Sequence, residues 1–222
     1  TPVGGRVATS DNPLRCAVLI SGAGSGMQAL VKAQQQDNLL HQTSVVISNR
    51  SEAGGIQLAH QLGVEVELVL PPKSTENTRV AHEQAIMEVL ERHDIEFVVL
   101  SGYMRLLSPN FLSRWGGRIV NIHPSYLPHF PGAHAHRDVI ASGAKLTGCT
   151  VHMVDEGMDT GAVLAQETVP VLNGDDEISL SNRVKVEEHR LYPQVLNWIA
   201  QGYVTMKSGR VHVDVPQSPQ ND

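Results

Sequence analysis

The chain has 222 residues, 41% of them hydrophobic and 18% charged, with a formal net charge of −6 and a pI near 6.0. That length suits one α/β domain with a sizeable core, and the acidic balance speaks against a protein that coats nucleic acid or an anionic membrane. No apolar run approaches the roughly 18 residues that a membrane span needs, although a few local donors would still hold one phosphate.

Residues 1–14 lack the apolar stretch of a secretory signal and read as a loose tail. Residues 16–21 (CAVLIS) form a buried strand, followed by a Gly-rich turn and a helix over about 27–36. A second strand is 44–48, then a helix over 52–62 closed by Gly63. The third strand, 64–70, ends at Pro71-Pro72, and a helix runs from about 78 to 93. The fourth and fifth strands are 96–101 (EFVVLS) and 118–123 (RIVNIH). Near-continuous apolar runs alternating with helices are the pattern of a parallel sheet covered on both faces.

After a short helix near 136–141 the pattern changes. Residues 146–154 and 162–171 are strands with only a loop between them, so antiparallel strands are added to the sheet. A long amphipathic helix over roughly 176–201 packs back on it, and 203–214 reads as a hairpin turning at Ser208-Gly209. The fold class is therefore α/β: a doubly wound, mostly parallel, Rossmann-like sheet with antiparallel strands in its C-terminal half. One domain over 15–216 is expected, with tails at 1–14 and 217–222. Cys16 and Cys149 fall inside apolar strands and read as reduced core residues, which fits a cytoplasmic protein.

Three features carry chemistry. The turn Ser21-Gly22-Ala23-Gly24-Ser25-Gly26 joins the first strand to the first helix. Glycines let backbone N–H groups approach a ligand at a helix N-terminus, which makes such a turn a phosphate cradle as well as a tight connection. A dinucleotide fingerprint would need glycine at position 27, which is Met27, and an acidic residue closing the second strand, where Ser48-Asn49 stand. The phosphate of a smaller ligand is the better fit.

The second feature is Asn121-Ile122-His123-Pro124, at the carboxyl end of a strand, where open α/β sheets bind ligands. Asn121 and His123 are two apart and share a face, either as a reactive pair or as a buried polar pair satisfying each other. The third is Asp159, in a loop between two strands. A carboxylate beside an imidazole favours the charged ring, which suits a proton carrier, and an amide can donate to a developing oxyanion. The three together suit acyl transfer to an amine. His134 is placed in the cleft lining, while His136 and His152 read equally as structural; no ligand cluster at recognisable spacing implies a metal.

The segments LISGAGSGMQAL, GYMRLLSP, NIHPSYLPHFPGAHAHRD, TGCTVHMVDEGMDTG and RVKVEEHRLYP occur in that order between residues 16 and 202. In this the chain resembles the glycinamide ribonucleotide formyltransferase family of the formyltransferase superfamily. The resemblance implies formyl transfer from 10-formyltetrahydrofolate to the amine of glycinamide ribonucleotide in purine biosynthesis. It implies His123 as general acid/base, Asn121 as stabiliser of the tetrahedral intermediate and Asp159 as the partner of His123 in proton shuttling. Backbone at Gly24, Ser25 and Gly26 would hold the ribonucleotide phosphate, with Lys185 and Glu188 contacting the same substrate; three apart, those two share a helix face. Folate would lie against Tyr103, Met104, Arg105, Leu106 and Leu107 and the loop Asp155, Glu156, Gly157, Met158, with Arg79 at its glutamate tail.

Two positions depart from the family pattern. Gly26 stands where asparagine is common, and Tyr126 where leucine is usual. The resemblance implies small-molecule substrates, no nucleic-acid, membrane or metal partner, and a monomer or homodimer. Rivals are a formyltetrahydrofolate hydrolase, which usually carries a preceding regulatory domain, and formyltransferases acting on charged tRNA or an amino sugar. About 14 residues precede the first strand and fewer than 25 follow the last helix, and the acidic balance fits tRNA poorly. A non-catalytic folate- or nucleotide-binding protein is the rival from another class; intact Asn121, His123 and Asp159 stand against it.

Overall fold

The computed structural model describes residues 1–73 and 78–217. Strands β1 (Leu14–Ile20), β2 (His41–Ser48), β3 (Val66–Leu68), β4 (Phe97–Leu100) and β5 (Ile119–His123) run parallel. Strands β6 (Leu146–Met153) and β7 (Val163–Pro170) join antiparallel, and the sheet order is β3-β2-β1-β4-β5-β6-β7. The doubly wound, mostly parallel sheet with an antiparallel C-terminal half is thus present. Helices α1 (Ser25–Gln36), α2 (Gly55–Gln61) and α3 (Thr78–Arg92) link the parallel strands. Helix α4 (Pro109–Trp115) lies between β4 and β5, α5 (Ala135–Ser142) precedes β6, and α6 (Glu177–Ala200) follows β7. A separate hairpin pairs β8 (Val204–Lys207) with β9 (Arg210–Val213).

The apolar continuity of β1 has a direct structural cause. Cys16, Val18 and Ile20 face one core with Met27, Leu30 and Val31 of α1 and Val184, Leu191 and Val195 of α6. Ala17 and Leu19 face the opposite core, with Ile86, Met87 and Leu90 of α3 and Phe111 of α4. Strand alternation sends neighbours to opposite faces, so a strand covered twice must be apolar throughout. Each large side chain removed from water contributes on the order of 1.5–3 kcal/mol. Both cysteines are free and fully buried, which pushes each thiol up to about 12.

Helix α4 is absent from the sequence-based reading, although its start is well marked. Ser108 caps it by accepting from the Phe111 amide, and Pro109 occupies the first turn. The buried carboxylate of Glu83 on α3 accepts from both the Ser108 amide and its hydroxyl, tying the start of α4 to α3.

The first 14 residues are packed rather than loose. Val3 and Ala8 are buried, and their amides donate to Val204 and Ala200 at 2.9 and 2.8 Å. Arg6 makes a two-pronged contact with Glu96 at 2.6 and 2.9 Å. These contacts are made by backbone and by a charge pair spanning 90 positions, so no local apolar pattern announces them. The expected tail at 217–222 lies, beyond Gln217, outside the described residues. Among the described residues no helix is long and apolar enough to cross a membrane.

Candidate active site

Strand order reverses where β1 is flanked by β2 on one side and β4 on the other. Chains leaving neighbouring carboxyl ends there must diverge to opposite faces of the sheet, and a crevice opens between them. It holds a cavity of about 550 Å³ lined by residues 22–26, 100–107 and 121–124, by the loop that follows β6 and by one face of α6.

The turn after β1 takes its shape from Gly24. Its φ is 80°, and a Cβ there would lie 2.5 Å from the Gly55 Cα. Only glycine serves both demands. The first amides of α1 are thereby left facing the crevice without helical partners, a site suited to an anion. Ser21 Oγ accepts from the Met104 amide at 2.9 Å, which fixes this turn against the segment after β4. Across the cavity Tyr192 of α6 is buried and its hydroxyl donates to the Leu100 carbonyl at 2.7 Å.

Asn121 and His123 stand on β5, whose antiparallel partner β6 places His152 directly opposite Asn121. His152 Nδ1 contacts the Met153 carbonyl at 2.9 Å, so it carries a proton there and its Nε2 is an acceptor. Asn121 Nδ2 lies 3.4 Å from that Nε2, which turns the amide nitrogen toward this side and leaves its second N–H for the cavity. Burial holds His152 below its ordinary range, and Asp159 only partly offsets this. A neutral ring is what the Asn121 contact requires.

His123 is 5% exposed. Its Nε2 lies 2.9 Å from the Phe130 carbonyl and so carries the proton of the neutral ring. Nδ1 faces the carboxylate, 3.5 Å from Asp159 Oδ1. Asp159 adopts φ 57°, a left-handed conformation that aspartate tolerates better than most residues. Its Oδ2 accepts from the Gly132 amide at 2.9 Å, and Oδ1 is 3.8 Å from His152 Nε2. The loop supplying Phe130 is itself braced. Thr150 donates to the Ser125 carbonyl at 2.8 Å, and Gln166 donates to the Leu127 carbonyl at 2.8 Å.

The structure brings together Asn121, His123, Asp159, Gly24, Ser25, Gly26, Lys185, Glu188, residues 103–107, Asp155, Gly157 and Met158. Arg79 is exposed and donates to the Leu106 carbonyl instead of lining the cavity. Glu156 is exposed and lines a separate groove beside β8 and β9. His134 is exposed outside the lining, whereas His136 lies within it. Met104, Leu106 and Met158 form an apolar rim. Burial pushes the Glu188 carboxyl up to about 7 against the opposing pull of Lys185, and pushes the Tyr103 hydroxyl up to about 12. His152, left open between a site and a structural role, is in the lining, while Gly132 and the Phe130 carbonyl went unread; strand register and loop path reveal them. Among the described residues no group of three or more His, Cys, Asp or Glu is placed to hold a metal.

The family profile described as formyl transferase matches residues 14–196. Phosphoribosylglycinamide formyltransferase of Escherichia coli is 36% identical over 206 residues, which cover 93% of this chain and 96% of that protein. The trifunctional purine biosynthetic protein adenosine-3 of Bos taurus is 43% identical over 198 residues, 89% of this chain. The chain spans about a fifth of that protein's length, 19%. The crystal structure of glycinamide ribonucleotide transformylase 1 from Symbiobacterium toebii superposes with a TM-score of 0.86 at 38% identity, covering 91% of this chain and 95% of that one.

Proposed function

The chain belongs to the formyl transferase family, and we infer that it moves the formyl group of 10-formyltetrahydrofolate onto the amine of glycinamide ribonucleotide, a step of purine biosynthesis. The carrying observation is the joining of Asn121, His123 and Asp159 in one cavity, between an anion-accepting helix start and an apolar rim. The amides of Ser25 and Gly26 suit the ribonucleotide phosphate, with Lys185 and Glu188 beside it on α6. Met104, Leu106 and Met158 suit the flat ring of a folate, which would present its formyl carbon toward β5. Arg79, exposed beside Leu106, would meet the glutamate tail outside the cavity.

The formyl donor supplies an activated one-carbon carbonyl. Asn121 donates its free N–H to the oxygen as the substrate amine attacks and negative charge develops there. A single preorganised donor of this kind contributes roughly a hundred- to a thousandfold. His123, held through Nε2 by the Phe130 carbonyl, carries at Nδ1 the proton that must travel from the attacking amine to the departing folate nitrogen. A positioned acid/base contributes on the order of a hundred- to ten-thousandfold. Asp159 stabilises the protonated ring, and at 3.5 Å the pair leaves room for exchange through a bridging water. The same proposal includes a single formyltransferase domain over 15–216, no metal requirement, a cytoplasmic location and a monomer or homodimer.

The test follows the absorbance of a 10-formyl folate with and without glycinamide ribonucleotide. Deformylation that requires the ribonucleotide supports the transferase. Deformylation without it makes the protein a hydrolase, and folate binding without turnover makes it a binding protein.

A further inference from the structure

Ser101 follows β4 directly, and its amide donates to the Leu19 carbonyl at 3.0 Å. The residue is 8% exposed and lies in the cavity wall. Its amide is satisfied, yet its hydroxyl has no hydrogen-bond partner within the protein among the described residues. A buried hydroxyl normally finds a partner; one opening on a cavity is free to find it in a ligand.

The neighbouring glycine explains how this hydroxyl reaches its place. A Cβ on Gly26 would lie 2.7 Å from Ser101 Oγ, closer than carbon and oxygen can pack without one moving. Gly26 sits in the first turn of α1, where its backbone has no need of glycine's conformational freedom. The missing side chain is therefore space, and Ser101 Oγ occupies it, beside the open amides of the helix start.

We propose that Ser101 is a further substrate-binding residue, whose hydroxyl donates to the phosphate of the ribonucleotide from the space that Gly26 leaves open. This rests on the reading that the phosphate lies at the start of α1. The hydroxyl adds a directed donor to the backbone amides, and the two positions act as a pair, since any side chain at 26 displaces the hydroxyl at 101.

The test is a double-mutant cycle read by calorimetric binding of glycinamide ribonucleotide and by the KM for each substrate. A hydrogen bond to a charged group carries roughly a tenfold effect or more. Ser101→Ala is expected to raise the Kd and KM for the ribonucleotide about tenfold, with kcat and the KM for formyl folate moving far less. Gly26→Ala should give a similar loss by turning the hydroxyl away, and Gly26→Ala with Ser101→Ala should be no worse than either alone. Unchanged ribonucleotide affinity in Ser101→Ala, or losses that add in the double variant, would overturn the proposal while leaving the transferase reading intact. A wild-type protein that binds the ribonucleotide without formylating it would overturn that reading and leave Ser101 standing on the binding data. One that does not bind it overturns both.

Discussion

Glu188 offers a quantitative test of the site's electrostatics. It lies one helical turn from Lys185 on α6, in the wall of the cavity, and makes no hydrogen bond among the described residues. Burial raises its carboxyl from an ordinary 4.5 to about 7, with Lys185 opposing. The folded protein thus holds this proton more tightly than the unfolded chain. The resulting stabilisation is complete below about pH 4.5 and is lost as pH rises through about 7. At about 1.36 kcal/mol per pKa unit, the loss amounts to about 3 kcal/mol at about pH 8 and above. Glu188→Gln keeps the shape and removes the ionisation. Urea denaturation of both proteins between about pH 5 and pH 8.5 isolates the effect, because all other titrating groups are shared. The variant should gain on the wild type as pH rises, by about 2.5 kcal/mol across the range. A stability difference that stays flat with pH would refute the assigned burial of this carboxyl. If Glu188 contacts the ribonucleotide as proposed, the same variant should also bind it more weakly by calorimetry, the trade of stability for function expected of a binding residue.

The reactive cluster predicts that Asp159→Asn and His123→Ala each lower turnover by roughly a hundred- to ten-thousandfold with folate binding retained; steady-state kinetics showing near-normal kcat would remove these residues from the chemistry. A Cβ on Gly161 would lie 1.6 Å from the Met153 carbonyl, so Gly161→Ala must push apart the base of the loop carrying Asp159. A stability loss above about 2 kcal/mol in urea is expected, and an unchanged midpoint would mean the loop closes differently. Arg6→Ala removes both prongs of the contact with Glu96 but leaves that carboxylate its bond from the Arg15 amide. The expected loss is about 1–2 kcal/mol by thermal unfolding; no measurable loss would mean that the Arg6–Glu96 contact contributes nothing to the fold.

Much of the molecule is written in local pattern. Apolar runs of strand length separated by helical periodicity dictate a twice-covered parallel sheet, and the loop-only joint between 154 and 162 announces the antiparallel addition. Asn121 and His123 are legible as a pair because strand alternation is a property of adjacent residues. Tertiary structure decided the rest. His152 meets Asn121 only because β6 pairs with β5 in one register, across 31 positions. Phe130 reaches His123 only because the loop folds back over the strand end, and Asp159 joins them from a turn whose left-handed backbone is unmarked by glycine. Glu156 shares a loop with cavity residues yet faces elsewhere, since a loop has no fixed period to aim its side chains, and Arg79 sits on α3, whose residues lie outside the cavity lining. Periodicity gives the direction of a side chain along an element. Which distant side chain it meets is settled by strand pairing and packing, and so is whether a carboxyl such as that of Glu188 is buried enough to hold its proton.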